Sequence, residues 1–271
     1  MNIAWWLEAA ARLHPAAPAL LTGARLDADY AAFARRASSL ARWLTATQGL
    51  ASGGRVALFM SNSTRYLEAL YAIWWAGGVA VPINAKLHAR EAAYIVDHAE
   101  AKLIFTDAAH ARTLDEASDA FAPDLRRLRV DDASFERVRD GAGDPLPHMR
   151  ADNDLAWLFY TSGTTGKPKG VMLTHGNIRA MSLCYPLDVD TPQQADAALY
   201  AAPLSHGAGM YNFVHVRVAA RHVIPDSGGF DGDEILDLAK SLRNVSMFAA
   251  PTMVRRLVEA ARARNENGDG I

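Results

Sequence analysis

One stretch of the sequence constrains the fold more than any other, because glycine, hydroxyl and lysine side chains crowd into ten residues. It covers 161–170 and reads Thr-Ser-Gly-Thr-Thr-Gly-Lys-Pro-Lys-Gly. An apolar run precedes it at 155–160, and a second apolar run follows at 171–173. Short apolar runs bounded by turn residues are typical of buried strands. The sequence therefore predicts a strand, a glycine-rich loop and a second strand.

The composition of this loop is suited to binding a phosphate chain. Glycine lets successive backbone N–H groups converge on one anion, and hydroxyl groups add donors that rotate toward phosphate oxygens. Lys167 and Lys169 supply positive charge, and the segment 155–187 contains no Asp or Glu that would repel an anion. On residue content alone, the alternative is a polar hairpin loop without a ligand.

The loop does not match the Walker A pattern of P-loop NTPases. That pattern requires Gly-x-x-x-x-Gly-Lys followed by Ser or Thr. Here Gly166 and Lys167 are followed by Pro168, and Thr161 stands where the first glycine should be. The loop is also predicted to lead into a strand and not into a helix. These differences exclude P-loop NTPases and kinases.

Two motifs resemble those of a known superfamily. The run at 160–170, Tyr-Thr-Ser-Gly-Thr-Thr-Gly-Lys-Pro-Lys-Gly, resembles the AMP-binding signature of the adenylate-forming superfamily. That superfamily includes acyl-CoA synthetases, firefly luciferases and peptide-synthetase adenylation domains. The run at 203–209, Pro-Leu-Ser-His-Gly-Ala-Gly, is similar to its next motif. The resemblance implies an α/β fold with βαβ units around parallel sheets, in which this chain forms an incomplete large N-terminal domain.

The resemblance also implies roles for individual residues. Thr161 would place its hydroxyl on Mg²⁺, Lys169 is the lysine of the motif, and His206 would line the carboxylate and acyl pocket near the α-phosphate. The resemblance implies that this chain does not contain all the catalytic residues of the superfamily. Lys169 and His206 would have a supporting role in catalysis. The nucleotide-binding residues would be Thr161, Ser162, Gly163, Thr164, Thr165, Gly166 and Lys169, and the substrate pocket would include His206, Gly209, Met210 and Tyr211.

The reaction that the resemblance implies is ATP-dependent activation of a small-molecule carboxylic acid. The acid attacks the α-phosphate of ATP, pyrophosphate leaves, and the acyl-adenylate passes its acyl group to a thiol such as coenzyme A. ATP, Mg²⁺ and coenzyme A are therefore the expected cofactor and co-substrates of an acid–thiol ligase. The expected acid is a fatty or an aryl acid.

Outside these motifs, short apolar runs alternate with stretches of helical periodicity. A helix predicted over 30–47, for example, places Phe33, Ala37, Leu40 and Leu44 on one face. Strands alternating with helices predict βαβ units and a parallel sheet.

Several local predictions can be checked against the structure. A helix is expected from 175 to about 184, and a strand over 245–249. The basic run 126–130 is flanked by aspartates, which favours a solvated strand edge. Trp74 and Trp75 are interpreted as core packing.

The segment 141–151 begins Gly-Ala-Gly-Asp-Pro-Leu-Pro and is predicted to be a linker. It would separate an N-terminal α/β subdomain at 1–140 from 152–271. The latter would hold the AMP-binding loop region and part of a second α/β subdomain, and the C-terminal domain of the superfamily is expected to be absent.

Composition excludes several classes of protein. A formal net charge of −2 argues against a nucleic-acid partner. The single cysteine, Cys184, allows no internal disulfide and suits a reducing compartment. The N-terminus lacks the pattern of a signal peptide, and the longest apolar stretch, 70–83, is too short to span a bilayer. A cytoplasmic protein is expected, while the sequence does not indicate an oligomeric state.

Two functions of different classes remain open. The sequence lacks the aromatic-x-x-Thr-Glu motif, ribose-binding Asp and lysine-bearing C-terminal domain that the resemblance leads us to expect. The first expectation is therefore the front of a longer acyl-CoA synthetase, with little or no turnover alone. The alternative is a catalytically incomplete module that binds a nucleotide or a partner. A peptide-synthetase adenylation domain ranks lower, because no carrier domain is visible.

Overall fold

The computed structural model describes residues 1–144, 146–161 and 167–271. The chain divides into two compact units that alternate along the sequence. The first unit comprises Met1–Glu8, Ala34–Ser61 and Arg65–Met181, and the second comprises Ala9–Phe33, Asn62–Thr64 and Ser182–Ile271. Each unit is organised around its own β-sheet. The predicted α/β class is confirmed.

Strands and helices alternate along the described ranges, as the sequence periodicity predicts. The strands are β1 (Pro18–Thr22), β2 (Arg25–Asp29), β3 (Arg55–Phe59), β4 (Val79–Pro82), β5 (Leu103–Thr106), β6 (Arg126–Arg129), β7 (Leu155–Thr161), β8 (Lys169–Thr174), β9 (Ala197–Leu199), β10 (Arg221–Ile224) and β11 (Val245–Ser246). The helices are α1 (Trp5–Leu13), α2 (Tyr30–Arg42), α3 (Thr64–Trp75), α4 (Ala89–His98), α5 (Ala108–Glu116), α6 (Ala133–Arg139), α7 (His175–Asp188), α8 (Gly207–Met210), α9 (Asn212–Arg217), α10 (Gly232–Leu242) and α11 (Pro251–Ala263).

The sheet of the first unit has the strand order β6-β5-β3-β4-β7-β8. Its strands from β6 to β7 are parallel, and only β8, among the described strands, runs antiparallel to its neighbour. The central strands read as continuous apolar runs because helices cover both faces of a parallel sheet. Ala57, Val81 and Ile104 lie in its core and are fully buried.

Two local predictions for the first unit are confirmed. Strand β6 forms an edge of the sheet, and Leu128 is its one buried residue. Trp74 is fully buried, and its indole N–H donates to the carbonyl of Ala156 at 2.8 Å. The tryptophan therefore belongs to the core.

The sheet of the second unit has the strand order β11-β9-β10-β1-β2. Strands β11, β9, β10 and β1 are parallel, and β2 returns antiparallel to β1. Gly23 has a φ of +55° in the turn between β1 and β2, where its backbone N–H donates to the carbonyl of Ile224 at 2.8 Å. A glycine is favoured there because other residues rarely adopt this conformation.

Three element boundaries differ from the sequence prediction. Helix α2 ends at Arg42, and Trp43–Thr47 continue as a single π-helical turn. Helix α7 does not end near Cys184 but runs to Asp188, with Pro186 inside it. Strand β11 is only two residues long, because the chain leaves the sheet after Ser246.

The predicted linker lies within the first unit and is hydrogen-bonded to it at His148. The backbone N–H of His148 donates to the carbonyl of Trp75 at 2.9 Å, and the carbonyl of His148 accepts from the Asn2 amide at 2.8 Å. The division into subdomains at 1–140 and 152–271 stays a prediction. None of the helices in the described ranges is long and apolar enough to cross a membrane.

Candidate nucleotide and acyl site

The AMP-binding motif lies on the hairpin formed by β7 and β8. Thr161 ends β7 and is paired in register with Lys169, the first residue of β8. Both residues are exposed. The structure thus brings the predicted magnesium hydroxyl and the predicted motif lysine together across the base of the loop. The other predicted nucleotide-binding residues, 162–166, lie outside the described residues.

The hairpin is held by an aromatic cluster on α4. The hydroxyl of Tyr160 in β7 hydrogen-bonds to Nδ1 of His98 at 2.7 Å, and the His98 ring stacks on Tyr94 with a centroid distance of 5.4 Å. On the other side of the loop, Nζ of Lys167 lies 5.6 Å from the centroid of the Tyr94 ring. This distance allows a cation–π interaction. Helix α4 therefore contacts both ends of the loop.

A capping box fixes the start of α4. His88 accepts through Nδ1 from the backbone N–H of Arg90, and the carboxylate of Glu91 accepts from the backbone N–H of His88. Such reciprocal caps satisfy N–H groups that a helix terminus would otherwise leave unpaired.

The ring of Tyr160 occupies the space beside Gly170 where another residue would have its Cβ atom. A Cβ atom on Gly170 would lie 3.0 Å from Cζ of Tyr160, which is closer than ordinary contacts allow. Burial raises the pKa of Tyr160 to about 12, so its hydroxyl stays protonated near neutral pH. The last glycine of the motif thus makes room for a neutral phenol ring beneath the loop.

The described residues do not form an all-protein metal site. They contain no group of three or more His, Cys, Asp or Glu side chains that could share an ion. Mg²⁺ in nucleotide sites takes few protein oxygens and completes its shell with phosphate oxygens and water. One exposed hydroxyl, that of Thr161, fits such a limited role.

The second motif follows β9 and is positioned by Asn62. The side-chain amide of Asn62 donates to the carbonyls of Tyr200 and Ala202, each at 2.9 Å, and its oxygen accepts from the backbone N–H of Leu204 at 2.9 Å. Sequence reasoning missed this role of Asn62. His206 directly precedes α8 and is half-buried.

A cavity of about 200 Å³, here called the aromatic cavity, lies in the second unit beside α8 and α9. Among the predicted pocket residues, Tyr211 lines it, whereas His206, Gly209 and Met210 are not among its lining residues. The Tyr211 ring stacks on Phe248 at a centroid distance of 5.6 Å and lies 5.4 Å from the Tyr185 ring. Sequence reasoning did not identify Tyr185 or Phe248.

One end of the aromatic cavity is polar. Nδ1 of His215 lies 2.9 Å from the carbonyl of Tyr211, and Nε2 lies 3.1 Å from Oγ of Ser246. A carbonyl only accepts, so Nδ1 carries the proton and Nε2 accepts from the Ser246 hydroxyl. Burial lowers the pKa of His215, which is consistent with a neutral imidazole.

A second buried histidine lies behind the cavity. The Tyr30 hydroxyl donates to the carbonyl of Ala220 at 2.6 Å and lies 3.2 Å from Nε2 of His222. Nδ1 of His222 lies 2.7 Å from the hydroxyl of Tyr200, which also lines the cavity. Burial, with a smaller contribution from His215, lowers the pKa of His222 to about 3. The three side chains form an uncharged network.

Comparison with known proteins gives one family. A family model described as AMP-binding enzyme matches residues 7–269. A feruloyl-CoA synthase from an Amycolatopsis species is 32% identical over 262 residues, which cover 96% of this chain and 51% of the relative. The long-chain-fatty-acid–CoA ligase FadD13 of Mycobacterium tuberculosis is 34% identical over 215 residues, which cover 77% of this chain and 42% of that protein.

A solved structure shows the same fold. The crystal structure of ATP-bound MatB from Rhodopseudomonas palustris matches with a TM-score of 0.80 and 29% identity, covering 97% of this chain and 52% of that one. The chain spans about half the length of the curated relatives it matches.

Proposed function

The chain belongs to the family of AMP-binding enzymes, and on that premise we propose that the protein activates a carboxylic acid with ATP and passes the acyl group to coenzyme A. The observation that carries this proposal is the pairing of Thr161 with Lys169 at the base of a glycine-rich loop. The names of the acyl-CoA-forming relatives and of the ATP-bound neighbour give further support.

In the proposed reaction, a carboxylate oxygen attacks the α-phosphorus of ATP. The bond between that phosphorus and the oxygen bridging to the β-phosphate breaks, and pyrophosphate leaves with the electron pair. The thiolate of coenzyme A then attacks the acyl carbon, and AMP departs. Negative charge builds on phosphate oxygens in the first step. Preorganised donors and cations stabilise the transition state of this step most.

Each residue of the motif has a proposed task. The N–H and hydroxyl groups of residues 162–166 bind the β- and γ-phosphates, and the ammonium of Lys169 holds a phosphate oxygen. Thr161 would supply one oxygen to Mg²⁺. When bound, that ion neutralises charge on the departing pyrophosphate. His206 borders the carboxylate of the acid.

The acid itself is proposed to enter the aromatic cavity, in keeping with a fatty or an aryl substrate. Tyr211 belongs both to the predicted pocket and to the cavity wall, which supports this assignment. A cytoplasmic location is proposed because the reaction consumes ATP and coenzyme A, and because Cys184 is the only cysteine.

The test uses the natural full-length protein with ATP, Mg²⁺, coenzyme A and a panel of carboxylic acids. We expect pyrophosphate release that depends on the acid and formation of the matching thioester, detected by mass spectrometry. ATP binding by calorimetry without pyrophosphate release for any acid would contradict the proposal and favour a nucleotide-binding module.

A further inference from the structure

The size of the aromatic cavity limits what it can enclose. Its volume is about 200 Å³. An apolar cavity of ~150 Å³ is already sufficient to bind benzene. One substituted aromatic ring therefore fits inside, whereas a long alkyl chain would have to extend beyond it.

The walls of the cavity are suited to a flat ring. Tyr211 and Phe248 lie nearly parallel, with an interplanar angle of 23°, and Tyr185 is tilted by 58° to Tyr211. Aromatic side chains offer ring faces and edges that favour offset-stacked or edge-to-face contact with a further ring. An alkyl group would bury area against the same walls without this directional contact.

The polar end of the cavity offers a hydrogen-bond acceptor, and none of its described lining residues is a Lys or an Arg. The Ser246 hydroxyl donates its proton to His215, so its oxygen keeps lone pairs for another donor. His215 is committed through its other nitrogen to the carbonyl of Tyr211. A second carboxylate on the ring would meet no cation here, whereas a neutral hydroxyl would find a partner.

The hydroxyl of a second lining residue is directed into the core. Tyr200 also lines the cavity, but its hydroxyl lies 2.7 Å from Nδ1 of His222. Nε2 of His222 lies within reach of the Tyr30 hydroxyl, which donates to a carbonyl. The His222 proton is therefore on Nε2, and Tyr200 donates to Nδ1 within a buried network, whereas Ser246 is only half-buried.

We propose that the aromatic cavity selects an acid with a single hydroxylated aromatic ring, whose ring hydroxyl donates to Oγ of Ser246. The ring packs against Tyr211 and Phe248, and the uncharged polar end discriminates against a ring that lacks the hydroxyl. This inference rests on the proposed function, because it names the acid that the proposed ligase activates.

The first experiment compares three nine-carbon acids with the natural full-length protein. Acid-dependent pyrophosphate release is measured with 4-hydroxycinnamate, cinnamate and nonanoate, and kcat/KM is determined for each. We expect 4-hydroxycinnamate to exceed cinnamate by roughly tenfold, the scale of one hydrogen bond. Nonanoate should be the poorest of the three.

Three variants identify the contacts. Ser246→Ala should reduce the ratio of kcat/KM between 4-hydroxycinnamate and cinnamate to about one, since the acceptor is gone. Tyr185→Phe keeps the ring and removes another hydroxyl of the cavity wall, so it should preserve that ratio. Phe248→Leu should lower the ratio of cinnamate to nonanoate, because it keeps an apolar wall and removes the stacking face.

The outcomes separate the inference from the proposed function. Turnover of nonanoate in preference to both aryl acids would overturn the inference and leave the ligase function standing. Loss of hydroxyl discrimination in Tyr185→Phe but not in Ser246→Ala would also overturn it. Absence of pyrophosphate release with every acid would instead contradict the ligase function itself. The comparison of the three acids in the unmodified protein tests the proposed selectivity even where a variant does not fold.

Discussion

At the residue scale, Lys169 is the most direct test of the nucleotide site. It is exposed at the start of β8, so its removal should not disturb the core. We expect Lys169→Ala to weaken ATP binding by roughly ten- to a hundredfold, the worth of one charge-assisted hydrogen bond. Isothermal titration calorimetry measures the change in Kd.

The matched control for that experiment is Lys102→Ala. Lys102 belongs to the same unit, is also exposed and lies 3.7 Å from the carboxylate of Asp124. The Lys102→Ala substitution should leave ATP affinity unchanged. Equal ATP affinity in Lys169→Ala and the unmodified chain would remove Lys169 from the nucleotide site.

Gly170 gives a second prediction at this scale. Gly170→Ala would bring a methyl group within 3.0 Å of the Tyr160 ring, and the ring or the hairpin must shift. Overpacking of this kind should lower the free energy of unfolding by about 1–3 kcal/mol. Urea denaturation measures the loss, and Gly229→Ala is the control, since a Cβ added there would meet no heavy atom within 4 Å outside the adjacent residues. A Gly170→Ala protein as stable as this control would show that the ring is free to move.

Sequence reasoning identified part of the site and missed the rest for a physical reason. Thr161 and Lys169 belong to one continuous motif, so the sequence placed them without knowledge of the fold. Tyr94, His215 and Ser246 act through tertiary contacts with residues far away in sequence. No local pattern marks such side chains, and their roles emerge only when the sheets are assembled.

At the element scale, helix α7 continues through Pro186 because another residue replaces the missing hydrogen bond. Proline has no N–H to donate to the carbonyl four residues earlier, that of Ser182. The guanidinium of Arg217 donates to this carbonyl at 2.9 Å. The local sequence predicted that the helix ends near Cys184. The contact from Arg217, distant in sequence, lets the helix continue.

This arrangement predicts coupling between Arg217 and Pro186. Arg217→Ala should destabilise the protein by about 1 kcal/mol, because the Ser182 carbonyl loses its partner. The same change in a Pro186→Ala background should cost less, since alanine restores the backbone N–H. A double-mutant cycle by urea denaturation measures the difference. Additive effects would mean that Arg217 stabilises α7 by another route.

The start of α5 carries a charged pair whose contribution depends on pH. Nδ1 of His110 lies 2.6 Å from Asp107, the N-cap residue, and Nε2 lies 3.0 Å from the carbonyl of Ala85. Burial alone would lower the pKa of His110, but these hydrogen bonds outweigh it and raise the pKa. Burial would raise the pKa of Asp107, but hydrogen bonds from His110 and the Ser61 amide lower it well below its usual range.

The signs of these shifts define a pH window. The contribution of His110 is fully present below its unfolded-state pKa of about 6.5 and is lost as pH rises through the higher folded-state value. The contribution of Asp107 is present above pH of about 4 and is lost on acidification. His110→Gln should therefore cost about 1–2 kcal/mol near pH 5.5 and progressively less toward pH 9.

Urea denaturation of both proteins across that range measures the difference, with the exposed His14→Gln as control. A cost that does not change between pH 5.5 and pH 9 would show that His110 is not protonated in the folded protein.

At the scale of the whole molecule, the predicted linker can be tested by proteolysis. Leu146 and Met149 are 51% and 78% exposed, so chymotrypsin should cut preferentially near them. The two halves should nevertheless stay together, because β4 before the cut pairs with β7 after it. Size-exclusion chromatography of the cleaved chain should show one peak. Two separate peaks would show instead that 1–140 and 152–271 are independent subdomains.

The sequence predicted the class of fold but not which strands share a sheet. Local periodicity marks a strand wherever apolar residues recur, and β7 and β8 were predicted in this way. Pairing between strands depends on contacts distant in sequence, which local periodicity does not record. The interleaving of the two units therefore appears only in the structure.

The partner of β1 has a consequence for the order in which the molecule is made. Leu21 lies opposite Val223, and a ribosome adding ~5–20 residues per second needs roughly 10 to 40 s to synthesise the chain between them. Throughout that time Ala19, Leu20 and Leu21 lack the neighbour that buries them. Strand β1 thus completes its packing only after β10 has been synthesised, and a chaperone that covers apolar segments would protect it in that interval.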